Sequence, residues 1–229
     1  MPIVSLRNLW KTYPLGKTEV HALKGVSLDI NAGDFVSIAG PSGSGKTTMM
    51  NTMGLIDTPT QGEVQLLDRI VSGMGRRELA RTRHDHIGFI FQSFNLLPVL
   101  NVFENVELPM LIGRCRLPRQ ERREWVTHLL EQVGLTDRKD HRPAELSGGQ
   151  QQRAAIARAL ATRPRIVIAD EPTANLDSKT GERVLELMKR INQEEGTTFI
   201  FSTHDPVIWE MADHVVFLHD GQISSETRR

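Results

Sequence analysis

Cysteine is almost missing. Cys115 is the single one among 229 residues, which excludes an internal disulfide and fits a reducing compartment. Long apolar runs are missing as well: the most apolar stretches, near Ile166 to Ala169 and Thr198 to Phe201, have strand length and fall short of the roughly 18 residues that cross a bilayer. Any membrane role must therefore be borrowed from a partner. Met1 to Lys11 has no basic region followed by an apolar stretch, so no secretory signal is expected. Charge of one sign is lacking too. The 28 basic and 28 acidic residues cancel, leaving no positive field to hold a nucleic acid backbone, and no nucleic acid partner is expected. What remains, 39% apolar and 24% charged, is an ordinary globular composition with enough chain for one or two cores.

Periodicity divides that chain. Ile3 to Trp10 and Val20 to Ile30 read as strands around a turn at Pro14 to Gly16. Asp34 to Ala39 is a short apolar strand running into a Gly-rich loop, and Lys46 to Leu55 has helical length. Glu63 to Leu67 and Ile87 to Phe91 read as strands, with Arg76 to Arg83 helical between them. From Asn101 to Val133 the pattern becomes helical, and the charged run Arg114 to Arg123 reads as a solvated helix face. Gly148 to Thr162 is an Ala-rich helix and Arg165 to Ala169 a buried strand. Ser178 to Glu195 is a helix with Val184, Leu185, Met188 and Ile191 on one face. Thr197 to Ser202 and His214 to Leu218 are closing strands, and Asp220-Gly221 signals a hairpin turn. Strands alternating with helices predict an α/β fold with parallel strands. The helical stretch suggests a subdomain at about 93–163 inserted into a core of about 1–92 and 164–229.

Gly40-Pro41-Ser42-Gly43-Ser44-Gly45-Lys46-Thr47 matches G-x-x-x-x-G-K-[ST], and it sits between a predicted strand and a predicted helix, as the pattern requires. Glycines let backbone N–H groups converge on phosphate oxygens, and the helix start adds partial positive charge. Lys46 supplies a point charge for β- and γ-phosphates, and the Thr47 hydroxyl can ligate Mg²⁺. ATP and Mg²⁺ are the expected ligands. The plainer alternative is a flexible Gly/Ser loop that contains a Lys.

Arg165 to Glu171 is a buried strand ending in two acids. Alone, that reads as a surface turn; downstream of a phosphate loop it places carboxylates beside Mg²⁺. Asp170 is then expected to hold the metal through its water shell, and Glu171 to act as general base on the attacking water. Leu146-Ser147-Gly148-Gly149-Gln150 opens the Ala-rich helix, where the Ser147 hydroxyl and glycine N–H groups form a second anion site, or simply an N-cap. Two phosphate sites exceed what one nucleotide needs in one chain. A head-to-tail pair of subunits resolves this, the second loop of one copy covering the γ-phosphate held by the other.

With those residues the sequence resembles the ATP-binding-cassette ATPase family along essentially its whole length, the Leu-Ser-Gly-Gly-Gln signature standing unchanged at 146 to 150. The resemblance implies an α/β fold: a P-loop NTPase core with a mainly parallel sheet, an N-terminal antiparallel β region and an inserted α-helical subdomain. It also implies further roles, residue by residue. Tyr13 falls where the family stacks an aromatic ring on adenine, and Gln92 where a Gln senses Mg²⁺ and the attacking water. Thr48 completes the phosphate loop, Asp177 lies in the loop that crosses the dimer interface, and His204 matches the histidine that contacts the γ-phosphate.

More narrowly, the chain is similar to lipoprotein-releasing, macrolide-export and cell-division ATPases. The residues that suggest this are Val20-x-Ala22-Leu23, Met49-Met50-Asn51, Leu55-Ile56-Asp57-x-Pro59-Thr60-x-Gly62 and Phe91 to Pro98. Ala174 stands where that subgroup often has Gly. The implied function is ATP hydrolysis by a homodimer that drives a separate integral-membrane permease from the cytoplasmic face of the inner membrane. Signalling through a membrane partner to cell-wall enzymes is the alternative. The permease is expected to dock near Gln92 to Leu100, where Phe94, Leu96, Leu97, Pro98, Val99 and Leu100 are more apolar than a loop should be. Core packing of the helical insert would explain the same residues.

Overall fold

The computed structural model describes residues 2–16, 18–113, 117–204 and 209–229; Met1, Cys115 and the start of the Arg114 to Arg123 run lie outside them. Pro2–Leu15 (β1) and Thr18–Asn31 (β2) pair antiparallel from end to end. Pro14 and Leu15 are therefore still strand, and the chain turns later than the Pro14 signal suggests. Phe35–Ala39 (β3) leads to the phosphate loop. It is followed by Lys46–Met53 (α1), Gln61–Leu66 (β4), Arg69–Ile70 (β5), Arg76–His86 (α2) and Ile87–Ile90 (β6). Val102–Ile112 (α3), Arg119–Gln132 (α4) and Gly148–Leu160 (α5) are the helical stretch. Ile166–Asp170 (β7), Ser178–Glu195 (α6), Thr198–Thr203 (β8), His214–His219 (β9) and Gln222–Arg228 (β10) close the chain.

The α/β expectation is met by two sheets. One is antiparallel, ordered β2-β1-β4-β5; the other runs β10-β9-β3-β8-β7-β6, with its five strands from β9 to β6 parallel and β10 antiparallel at the edge. Side chains alternate across the parallel strands. Phe35, Val167, Phe199 and Phe201 join α3 to α6 in one core, while Val36, Ile38, Ile168 and Ile200 join α1 and the antiparallel sheet in the other. Strands covered on both faces read as continuous apolar runs, which is why they are legible in sequence. The expected pattern misses β5 and β10, which are exposed and mostly polar and carry no buried face to betray them.

Register sets the site. Ala39 pairs with Thr203, and Asp170 with Ser202, so the carboxyl ends of β3, β8 and β7 lie level and their loops emerge side by side, the usual place for a ligand in an open α/β sheet. In the helical stretch, α3 starts with a capping box between Asn101 and Glu104. The pair Arg122–Glu107, 2.7 Å apart and largely buried, ties α4 to α3, and the Trp125 indole donates to the Ala161 carbonyl at 3.0 Å. Buried Asn105 shapes the loop before α3: its amide donates to the carbonyls of Leu97, Leu100 and Asn101, and its oxygen accepts from the Leu97 N–H.

One buried base makes the fold pH-sensitive. His214, 1% exposed, places Nε2 at 2.9 Å from the Glu226 carboxylate on β10, while its Nδ1 is buried without a partner. Burial, then the charge of Arg228, pushes the imidazole below its ordinary pKa despite Glu226. The unfolded ring takes up a proton as pH falls through about 6.5, and the folded ring only at lower pH. The unfolded state thus binds more protons in that window, and stability falls as pH drops through it. His214→Gln is expected to flatten the decline in urea-derived unfolding free energy between about pH 7 and pH 5; a decline as steep as the wild type's would assign it to other groups.

Candidate active site

The phosphate loop is held in shape by close backbone approaches. Gly40 has φ +144°, and a Cβ there would lie 2.1 Å from the Leu218 carbonyl oxygen; Gly45 has φ +104°, and a Cβ would lie 2.5 Å from that of Ala22. Only glycine fits at either position. The Ser44 carbonyl accepts from the Gly221 N–H at 2.9 Å, which pins the loop to the β9–β10 turn. Ser42, Gly43 and Thr47 face outward and Thr48 is half-buried. Helix α1 then begins with no side-chain cap and no acid in its first turn, so its first N–H groups are left for an external acceptor. The Lys46 ammonium, 7% exposed, donates to the carbonyls of Gly40 and Pro41, both at 2.8 Å, with its third N–H donor left over. The buried Ser44 hydroxyl has no partner. Uncapped N–H groups, an ammonium and an orphaned hydroxyl around one loop fit a polyphosphate.

Across from it stands the acidic edge. The Ser202 hydroxyl donates to Asp170 Oδ1 at 2.6 Å and accepts from the Glu171 N–H at 2.9 Å. Glu171 sits in the left-handed region with φ +45°, a strained conformation of the kind found where a side chain must be aimed. The His204 Nδ1 lies 3.4 Å from Glu171 Oε1. Glu171, Asp177 and His204 share a cleft of about 270 Å³. The two acids and the histidine expected from sequence are thus brought to one edge.

The remaining candidates fall into two places. Tyr13, on β1, is 36% exposed and donates its hydroxyl to Asp57 at 2.6 Å. Gln92 is exposed just past β6, and its carbonyl accepts from the Asn175 side-chain amide at 2.9 Å. Ser147 is indeed an N-cap: its hydroxyl accepts from the Gln150 N–H at 3.3 Å while the Gln150 side chain accepts from the Ser147 N–H at 2.9 Å. Asp177 caps α6 through the Thr180 N–H at 3.0 Å. Hydrogen bonds from Thr180, first from its side chain and then from its backbone, hold the Asp177 carboxyl below the usual carboxylate range. Ser147, Gly149 and Gln150 open with Arg153, Thr180 and Arg183 onto a groove of about 920 Å³. Gly148 lies next to Leu176. Among the described residues, none of the phosphate loop lines that groove.

The family model described as ABC transporter matches residues 23–174. The ABC transporter ATP-binding protein MJ0796 of Methanocaldococcus jannaschii is 46% identical over 228 residues, 99% of this chain and 97% of that one. The chain belongs to the ABC transporter family. It is an ATP-binding cassette, the ATPase unit of such transporters. The dimeric structure of a post-hydrolysis state of the MJ0796 cassette, bound to ADP and Pi, superimposes with a TM-score of 0.90 at 46% identity, covering 98% of each chain. The macrolide export ATP-binding/permease protein MacB of Rhodopirellula baltica is 46% identical over 227 residues, which are 99% of this chain but 33% of MacB.

In this ABC cassette the residues also fit Mg²⁺. A small hard cation keeps several waters and takes few protein ligands, and the Thr47 hydroxyl with an Asp170 carboxylate fixed by Ser202 meets that need. Bound there, the metal would neutralise phosphate charge. Ser202 was not singled out in the sequence; a hydroxyl directly after the apolar run Phe199 to Phe201 is the one signal for it. Nor was Arg158 of α5, which donates to the backbone carbonyls of Phe94, at 2.8 Å, and Asn95. Asn175 gets its task only from the contact of its amide with the Gln92 carbonyl. Ser202→Ala is expected to raise the Mg²⁺ concentration for half-maximal ATPase activity roughly tenfold. An unchanged Mg²⁺ titration would mean that Asp170 needs no such support.

Proposed function

We propose that two copies of this ABC cassette close head to tail on two Mg²⁺-ATP molecules, and that closure and reopening drive a separate integral-membrane permease. The observation that carries this reading is the separation of two anion-seeking helix starts. The phosphate loop leaves β3 level with the ends of β8 and β7, which His204 and Glu171 follow, whereas the Ser147 to Gln150 start of α5 opens onto a groove shared with α6 that, among the described residues, none of the phosphate loop lines. Each nucleotide would lie between Gly40 to Thr48 of one copy and Ser147 to Gln150 of the other. The dimeric structure of the MJ0796 cassette bound to ADP and Pi supports the same arrangement.

The chain's residues then have distinct tasks. Backbone N–H groups of 43 to 48 and the Lys46 ammonium hold the β- and γ-phosphates, and Tyr13 carries the adenine. Glu171 takes the proton of the attacking water at its carboxylate. His204, beside that carboxylate, positions the γ-phosphate, and Gln92 reaches the water and the metal shell. The γ-phosphate is the differential contact, since both copies hold it and its loss removes charge-assisted hydrogen bonds on two sides. Glu171→Gln is expected to bind ATP, lose roughly a hundredfold or more in turnover and accumulate an ATP-bound dimer. Near-normal turnover would remove Glu171 from the role of base, and a monomer at saturating Mg²⁺-ATP would overturn the dimer.

The permease would dock where the loop after β6 meets the helical subdomain of about 93–163, on the cytoplasmic face of the inner membrane. Leu97 is 42% exposed and Val99 75%, while Leu96 packs on the core. The loop therefore divides its apolar residues between inside and outside. Leu111 and Ile112 are also exposed, at the far end of α3. A cleft of about 410 Å³ beside the loop, lined by Arg83, His84, Phe91, Asn95 and Pro109 among others, would take the tip of a permease helix. The ATP-binding and permease parts joined in MacB point to that kind of partner. Val99→Glu should abolish permease association while leaving ATP binding and the ATP-dependent dimer intact; retained association would move the docking site elsewhere.

A further inference from the structure

The segment Leu55 to Gly62 belongs to none of the sites above, yet its Asp57 holds both neighbours of the expected adenine platform. One carboxylate oxygen accepts the Tyr13 hydroxyl at 2.6 Å. The other accepts the Lys11 ammonium at 2.6 Å and the Thr58 N–H at 2.8 Å. Lys11, 9% exposed, also donates to the Thr58 carbonyl at 2.7 Å, and its ammonium lies 4.8 Å from the centre of the Tyr13 ring. That contact is within cation–π range and covers one ring face, so a base can stack only on the other.

The same segment is fastened to the phosphate helix and to the strand that carries Tyr13. The N–H groups of Ile56 and Asp57 donate to the Asn51 carbonyl on α1, at 2.9 and 3.2 Å. Thr60 accepts from the Thr12 N–H and donates its own N–H to the Trp10 carbonyl. Asp57 thus links the helix that begins at the phosphate loop to the strand that bears the ring.

We infer that Asp57, together with Lys11, is a positioning pair that fixes the Tyr13 ring at a set distance from the phosphate loop and leaves one face open to adenine. This rests on reading Tyr13 as the adenine platform. A free tyrosine side chain has two torsions to order on binding; here a carboxylate at one end and an ammonium over one face order them in advance, so stacking is gained without that entropic cost. Burial favours a protonated Asp57, but the bonds from Lys11 and Tyr13 outweigh it and hold the carboxyl below its ordinary value. Burial and the bond to Asp57 raise the Tyr13 pKa, so the phenol remains a donor at neutral pH. Removing Asp57 would leave a buried ammonium without its counter-ion and free the ring.

The test compares affinities for ATP and for inorganic tripolyphosphate, which lacks the base, in the full chain and in folded Tyr13→Ala, Asp57→Asn and Lys11→Met variants. Base stacking and a charge-assisted hydrogen bond are each worth enough that ATP affinity should fall about fivefold or more in all three, with tripolyphosphate affinity unchanged and KM for ATP raised while kcat holds. Tyr13 is the one tyrosine in the sequence, so ¹³C-tyrosine labelling gives a single ring signal. ATP should shift it in the wild type and shift it less in Asp57→Asn. If Tyr13→Ala leaves ATP affinity unchanged, the adenine platform itself is misplaced. If Tyr13→Ala weakens ATP but Asp57→Asn and Lys11→Met do not, the platform stands and the positioning pair is overturned. Equal loss of ATP and tripolyphosphate affinity in Asp57→Asn would also overturn it, by making Asp57 a support for α1 alone.

Discussion

Two helices, α1 and α5, begin with N–H groups that no acid, at the cap or in the first turn, offsets, and the chemistry of the chain grows from the different ways they are left. The start of α1 has no side-chain cap and a lysine folded back over the loop, so it is a complete cation-like cradle within one chain. The start of α5 is capped by its own Ser147 and Gln150, which satisfies part of its donor set. A self-capped helix start is a weak anion site and a good supplementary one. The asymmetry suits a nucleotide that is bound first by one chain and then covered by a second, because the covering contact must be reversible.

Backbone strain marks the path by which the proposed covering contact would communicate with the chemistry. Glu171 has φ +45°, and Phe94 and Asn95, in the loop after β6, have φ +60° and +50°. Left-handed backbone costs a non-glycine residue roughly 1 kcal/mol or more, so each of the three must be held by something nearby. Ser202 holds the Glu171 N–H, and Arg158 holds the carbonyls of Phe94 and Asn95. Asn175 then joins the two regions through the Gln92 carbonyl. Arg158 lies on the helix that Ser147 begins, and burial lowers its pKa without discharging a guanidinium. One polar path therefore runs from the loop that exposes Leu97 and Val99, through the helix of the covering site, to the edge that carries the base.

Much of this was legible because the signals are local. Helix α6 occupies Ser178 to Glu195, as its pattern predicts, because Asp177 caps its start and Gly196, at φ +67°, ends it. Both are sequence-level marks. Helix α1 stops at Met53, short of the expected Leu55, because Gly54 caps it and Leu55 turns into the left-handed region. The phosphate loop, the two acids and the Leu-Ser-Gly-Gly-Gln signature are contiguous motifs and stand where their spacing puts them. What stayed hidden depends on pairing across the chain. Ser202 has meaning only because its strand pairs with β7 at Asp170, and Asp57 because a turn after α1 meets β1. Tyr13 illustrates the limit: family resemblance supplied its role, but nothing in its own neighbourhood announced the carboxylate 44 residues away that holds it.

The placement of the acids also explains why hydrolysis, and not binding, would reopen a closed pair. While the terminal phosphate is bonded to the nucleotide, the proposed arrangement would hold its charge by the cradle of α1 on one side and by the covering helix start on the other. Cleavage yields two separate anions and a proton, which in the proposed dimer would form beside Asp170 and Glu171 at the end of β7. With Glu171 as the proposed base, its uptake of the proton would transiently lower the negative charge there; as the proton left, repulsion between carboxylates and product phosphate would return in full. The covering site holds its anion with a self-capped helix start alone, and it is the weaker of the two grips. In the proposed dimer, electrostatic release would therefore fall on the interface before it falls on the nucleotide's own loop, and the pair would open while ADP is still bound.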